Sequence, residues 1–201
     1  MDVAVLTGRW VRLEPLAEQH REPLRAAADD ERIWVHTLTA ARGPEFDSWF
    51  DEALANQAAD RQYPFAVCRL ADQALLGSTS YLDPVPSHGR VEIGSTWYAP
   101  AVWRTAVNPE CKLLLLAHAF DVQGLNRVSL CTDVRNTRSQ AAIEKLGAVK
   151  EGVLRSHMIT RGGRVRDSVL YSIIRDDWPR VKKGLTARLD RFAFPAAGPT
   201  G

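Results

Sequence analysis

The spacing of apolar positions changes period several times along this chain, and each change predicts an element. Residues 91–98 read Val-Glu-Ile-Gly-Ser-Thr-Trp-Tyr, rich in strand formers and stopped by Ala99-Pro100, so a strand should deliver the chain into a loop at 103–108. A helix is expected over about 109–122, with Asn108 as its N-cap, Pro109 in the first position and Glu110 in the first turn. Its Leu113-Leu114-Leu115-Leu116 run is apolar on nearly every side, which requires broad burial. Val128, Leu130, Thr132 and Val134 share one face of a strand at 127–134, and Asn136 then heads a helix that Gly147 terminates.

Upstream, β-branched and aromatic content gives a first strand over 8–15. Helices over 17–28 and 44–59 follow, the second carrying Phe46, Trp49, Phe50 and Ala53 at helical spacing. Strands at 63–70 and 75–81 form a hairpin through Ala71-Asp72-Gln73, and 83–89 is a loop on its Pro and Gly content. The last helix starts at Asp177 and lines up Trp178, Val181, Leu185 and Leu189. With no internal repeat and no linker, the pattern gives a single mixed α/β domain over 1–201, with its core at about 8–191 and a flexible tail at 193–201.

Composition narrows the function classes. A chain of 201 residues, 45% hydrophobic and 25% charged, is an ordinary globular protein, and a formal charge of +2 argues for neither nucleic acid nor a membrane surface. No segment approaches the roughly 20 apolar residues of a membrane span, and the N-terminus lacks a basic region followed by an apolar run, so a cytoplasmic protein is the expectation. Cys68, Cys111 and Cys131 have neither metal spacing nor a paired framework and read as reduced thiols. No metal is expected. His118 and His157 read as satisfied buried or edge histidines, and no nucleophile-elbow or P-loop motif competes.

The joint between the 91–98 strand and its helix carries the chemistry. Such a joint aims unpaired N–H groups and the positive end of a helix dipole at one spot, where a phosphate fits. Here the residues resemble the GCN5-related N-acetyltransferases, in particular the ribosomal-protein-alanine acetyltransferase-like branch. The family's acetyl-CoA loop, Q/R-x-x-G-x-G/A, falls by spacing on Trp103, Ala106 and Asn108, with both glycines replaced. Asp133-Val134-Arg135-Asn136-Thr137-Arg138-Ser139, running into Leu146-Gly147, is similar to the family's N-x-x-[AS]…LG segment. The likeness continues through 151–155 and the turn at 161–164 to the strand at 167–172.

The resemblance implies an α+β fold with a central twisted, mostly antiparallel sheet flanked by helices. It also implies an acetyl-CoA-dependent N-acetyltransferase whose amine attacks the thioester directly. The acceptor would be a protein N-terminus or a small amine. Ser95, Thr96, Trp97 and Tyr98 would pair their strand edge with the pantetheine arm. The amides of Arg104, Thr105, Ala106, Val107 and Asn108 would hold the pyrophosphate, with Asn136 and Ser139 completing the cofactor site. Ser139, on the face of Ala142, Ile143 and Leu146, is either the proton donor to the thiolate or a residue bonded to a backbone carbonyl. Many family members use a Tyr four residues later, where this chain has Ile143. Glu92 is either a general base or a structural anchor. Trp34, Trp49 and Trp103 either line an acceptor pocket or pack. Two rivals remain: a transferase of a longer acyl group such as succinyl, which would favour a basic group near the acyl pocket, with Arg104 available but unplaced, and a non-catalytic CoA sensor or interaction module. A monomer or homodimer is expected.

Overall fold

The structure, a computed structural model, describes residues 4–192; the tail at 193–201 lies outside the described residues. In chain order the elements are β1 (Leu6–Thr7), β2 (Val11–Pro15), α1 (Arg21–Ala28), α2 (Phe46–Ala58), β3 (Gln62–Arg69), β4 (Leu75–Val85) and β5 (Arg90–Tyr98). They continue with α3 (Val107–Ala117), β6 (Arg127–Asp133), α4 (Thr137–Glu144), β7 (Val149–Ile159), β8 (Val165–Ile174) and α5 (Trp178–Leu189).

The strands form one sheet in the order β1-β2-β3-β4-β5-β6-β8-β7. Every neighbouring pair is antiparallel except β5 and β6. A parallel pair needs a crossover connection, and α3 supplies it. Its leucine run is buried unequally: Leu115 and Leu116 are fully buried, whereas Leu113 and Leu114 are partly exposed against the same core. That core joins Val107, Cys111, Leu115, Trp178, Val181 and Leu185 of α3 and α5 to Val91, Ile93, Val128, Leu130, Val169 and Tyr171 of the sheet. On the opposite face α1 and α2 bury Leu24, Phe46, Phe50 and Ala53 against Ala66 and Trp97. Helices therefore cover both faces at β2–β5, while the second layer stops short of β6 and β8.

Three local expectations are corrected. The first strand is broken, because Gly8–Trp10 forms a turn held by Glu110: its carboxylate accepts the amides of Arg9, Trp10 and Val11 at 2.6, 2.7 and 2.8 Å. A side chain at Gly8 would meet that carboxylate at 2.4 Å, so glycine is required by the close approach. Residues 83–85, expected as loop, belong to β4. A bulge with Asp83 at φ 47° absorbs Pro84 without breaking the pairing to β5. The third correction is at α3, which begins at Val107 with Ala106 as its cap, so Asn108 and Pro109 are its second and third residues. Proline is tolerated there because first-turn amides lack helical partners.

Candidate active site

Strands β5 and β6 pair only where Arg90, Val91 and Glu92 face Arg127, Val128 and Ser129. Beyond that rung they diverge, leaving the β6-facing groups of 93–98 without a ladder partner. On the other side β5 carries an extra residue: Gly94 and Trp97 oppose Ser80 and Ser78, with Ser95 at φ 44° in between. This bulge resets which face each side chain takes. Val91 and Ile93 enter the α3 core, Glu92 and Gly94 point to the opposite face, and after the bulge Trp97 and Tyr98 are buried in opposite cores. The result is a wedge open at the C-terminal ends of two parallel strands.

Two elements close its mouth. The 103–106 loop turns at Arg104 (φ 64°) into α3, and Thr105 Oγ1 accepts from the Val107 amide at 3.3 Å while donating to the Val102 carbonyl at 2.7 Å. The Asn136 side chain caps α4, Oδ1 accepting from Ser139 N at 3.0 Å. The two meet directly: the Arg138 guanidinium lies 3.8 Å from the Trp103 ring centroid. Burial, and then the neighbouring Arg104, lower the Arg138 pKa. Among the described residues neither arginine has a carboxylate within 4.0 Å. Two unneutralised cations beside a helix N-terminus suit a polyphosphate. Arg138 was not anticipated from sequence, although its place in the first turn after an N-cap puts it at this mouth.

Ser139 is half-buried, one side of a helix whose Ile143 and Leu146 enter the core. Its hydroxyl makes no hydrogen bond among the described residues. Lys112 of α3 is a second residue that sequence pattern missed. Buried to 5% exposure, it donates to Thr96 Oγ1 at 2.9 Å and Thr79 Oγ1 at 3.3 Å, beneath the bulge, and burial holds its pKa down to about 8.

The face opposite α3 forms a polar floor from Glu92, Cys131, Asp133, Arg166 and Ser168. Glu92 makes no ion pair and no hydrogen bond among the described residues. Burial, and then the charge of Asp83, push its pKa up, with Arg166 opposing. Gly94 leaves the space it needs, since a Cβ there would lie 3.2 Å from Glu92 Oε1 and 2.5 Å from Leu82. Asp133 is fully committed, accepting from the Arg135 amide at 2.8 Å and from Arg164. The β7–β8 hairpin arches over this floor. Its tip reaches the 34–42 segment, where the Arg161 amide donates to the Leu38 carbonyl at 3.3 Å and its guanidinium pairs with Glu45. A cleft of about 480 Å³ opens there, lined by Trp34, Leu38, Thr160, Arg161 and Arg164 among others. Trp34 and Trp49 pack on Trp97 with centroids 5.3 and 5.6 Å apart, Trp34 also lining the cleft, while Trp103 bridges to Arg138.

The arrangement suits two ligands at once, a phosphate-bearing one entering at the mouth and a cationic one reaching Glu92 from the other face. Comparison with known proteins gives the family. The family model described as an acetyltransferase (GNAT) domain matches residues 11–149, and the chain belongs to that family. A solved structure from Brucella melitensis, titled a GCN5-related N-acetyltransferase, superposes with TM-score 0.88 at 31% identity, covering 98% of this chain and 90% of the other. A provisionally named acetyltransferase from T. thermophilus gives TM-score 0.84 at 35% identity over 94% and 98% of the two chains. In Bacillus subtilis, YdaF, provisionally named a ribosomal N-acetyltransferase, is 30% identical over 113 residues; the match covers 56% of this chain and 61% of that relative's length. The expected fold class, a mixed sheet that is mostly antiparallel, is the one found. Among the described residues no helix is long and apolar enough to cross a membrane, and no cluster of metal-ligating side chains occurs.

Proposed function

We propose that this protein is an acetyl-CoA-dependent N-acetyltransferase that transfers an acetyl group to a primary amine by direct attack in a ternary complex. The observation that carries the reading is Glu92, an unpaired carboxylate on a strand whose far edge is left open by its neighbour. Three features of the chain fit the cofactor: the free edge of 93–98, the first-turn amides at 104–108, and Arg104 with Arg138. Acetyl-CoA supplies an activated thioester carbonyl. Positioning it against an amine provides much of the acceleration.

Glu92 removes a proton from the incoming ammonium, directly or through a water, because only the neutral amine has a lone pair to attack with. Raising the pKa of a carboxylate makes it a stronger base, so the burial of Glu92 serves this step. As the carbon–nitrogen bond forms and the carbon–sulfur bond breaks, the nitrogen loses its second proton to solvent, and Ser139, at the head of α4, gives its proton to the sulfur and recovers one from solvent.

The test is release of free thiol from acetyl-CoA across a panel of amines. The wild-type protein should release thiol only when a suitable amine is present. Glu92→Gln should lower kcat/KM by roughly 100- to 10,000-fold and abolish the acid limb of its pH profile, a limb placed above the ordinary carboxylate range. Tight acetyl-CoA binding with no amine-dependent thiol release would refute catalysis and leave the sensor reading.

A further inference from the structure

The amine is the unassigned half of that reaction, and Arg166 bears on it. This residue lies on β8 two residues past the last rung to β6, where Ser168 faces Asp133. It alternates with Val169, Tyr171 and Ile173, which enter the α3 core, so its side chain takes the face of Glu92 and Cys131. It is 6% exposed. The Nε donates to Ser168 Oγ at 2.9 Å, which fixes the plane of the guanidinium.

The four N–H bonds of the two Nη atoms have no oxygen acceptor among the described residues, and no carboxylate lies within 4.0 Å. Asp133 feels the charge of Arg166 but is taken by Arg164 and the Arg135 amide. Glu92 feels it too, without forming an ion pair. Beside the guanidinium lies the thiol of Cys131, which burial keeps protonated and which accepts hydrogen bonds weakly. A guanidinium held only by a serine hydroxyl and a weakly accepting thiol, with no carboxylate on its fork, has the bidentate geometry that matches a carboxylate.

We propose that Arg166 binds a carboxylate of the acceptor, so that the substrates are small zwitterionic amines of the free α-amino acid class. The assignment rests on the N-acetyltransferase reading above. Glu92 and Arg166 share one face and form no ion pair with each other, although Glu92 feels the charge of Arg166. A molecule with an ammonium and a carboxylate on one carbon satisfies both. It presents the ammonium to Glu92 and the carboxylate to Arg166, and the floor then holds no unpaired charge. A protein N-terminus has an amide in place of that carboxylate and would leave Arg166 unpaired. The chemistry of transfer is unchanged: one ammonium proton passes to Glu92, the amine nitrogen bonds the acetyl carbon and loses its second proton to solvent, and the sulfur departs protonated as the free thiol.

The experiment compares free α-amino acids with their carboxamides, and with dipeptides bearing the same first residue, by thiol release. The expected result is a kcat/KM for the best acid at least about 100-fold above its amide, an effect carried by KM. Arg166→Gln should bring the acid-to-amide ratio of kcat/KM close to 1, with KM for the acid raised, whatever it does to the rate common to both, and Arg166→Lys should restore part of the ratio. Equal turnover of acid and amide by the wild-type protein, or a preference for the dipeptide, would overturn the proposal while leaving the N-acetyltransferase reading intact. Absence of amine-dependent thiol release from every amine would overturn both. The wild-type comparison stands even where an Arg166 variant fails to fold.

Discussion

Lys112 offers a quantitative test of the packing beneath β5. Its ammonium is enclosed by α3, β4 and β5, and its partners are two threonine hydroxyls, with no carboxylate within 4.0 Å among the described residues. Burial lowers the pKa from 10.5 to about 8. In the unfolded chain the amine titrates near its ordinary value, so between about pH 8 and 10.5 the unfolded state holds the proton and the folded state does not. Stability therefore rises with pH across this window, at up to about 1.4 kcal/mol per pH unit. Over the whole window the gain is about 3 kcal/mol, and below pH 8 the entire penalty is present.

Lys112→Met removes the titrating group while keeping an unbranched chain of similar length. The hydroxyls it abandons are not stranded, since Thr79 and Thr96 already bond each other at 2.7 Å and Thr96 reaches the Gly94 carbonyl at 3.2 Å. The variant should be as stable as wild type or more so at pH 7, and should lose that advantage progressively toward pH 10. Urea unfolding of both proteins at a series of pH values measures the difference. Parallel stability curves from pH 7 to 10.5 would refute the depressed amine. A variant less stable by several kcal/mol at pH 7 would show that the hydrogen bonds outweigh desolvation.

Ser139→Ala should lower kcat by roughly 10- to 1,000-fold with acetyl-CoA affinity little changed, because water can partly replace the proton donor; turnover unchanged with chemistry limiting would assign the proton to solvent. Ala106→Val should weaken acetyl-CoA binding measured by calorimetry, since Ala106 is 5% exposed at the entrance to α3 and a branched side chain pushes on the amides of the turn. Unchanged affinity would move the phosphate site elsewhere. Glu110→Ala strands the amides of Arg9, Trp10 and Val11 and should cost about 3 kcal/mol or more in denaturant unfolding; a loss under 1 kcal/mol would mean that the turn rearranges to satisfy them.

Much of this architecture is legible from periodicity. The strand at 91–98, the Asn136 cap, the Gly147 terminator (φ 93°) and the Trp178-Val181-Leu185-Leu189 stripe depend on local geometry, and local pattern reports them. What the pattern misreads is decided by contacts distant in sequence. Glu110 looks like a favourable first-turn residue of a helix, yet its carboxylate is spent on a turn about a hundred residues earlier. Asp83-Pro84-Val85 looks like loop because a bulge, which places one residue outside the ladder, leaves no period to read. The chemistry divides in the same way. Glu92, Ser139 and the 104–108 turn are visible as residue types after a strand or at a helix head. Arg138, Lys112 and Arg166 are not, because nothing in their own segments shows that no carboxylate waits opposite them.

The bulge at Ser95 links these observations. A strand with strict alternation would place Glu92, Gly94, Thr96 and Tyr98 on one face, with Lys112 approaching the other. The extra residue divides β5 into two registers. Before it, even-numbered residues face the polar floor, so Glu92 meets the space shared with Arg166. After it, even-numbered residues face α3, so Thr96 meets Lys112 and Tyr98 enters the core beside Cys111, while Trp97 seals the α1–α2 layer. A flat edge at this place would go on pairing with β6 and close the wedge, because the parallel partner is already in register at 127–129. Twisting β5 away from β6 opens the cleft and leaves backbone donors and acceptors free along its side. Under the proposed reading, one inserted residue thus separates the face of Glu92 from the free edge of β5, so that an amine and a thioester would approach residues 93–95 from different sides.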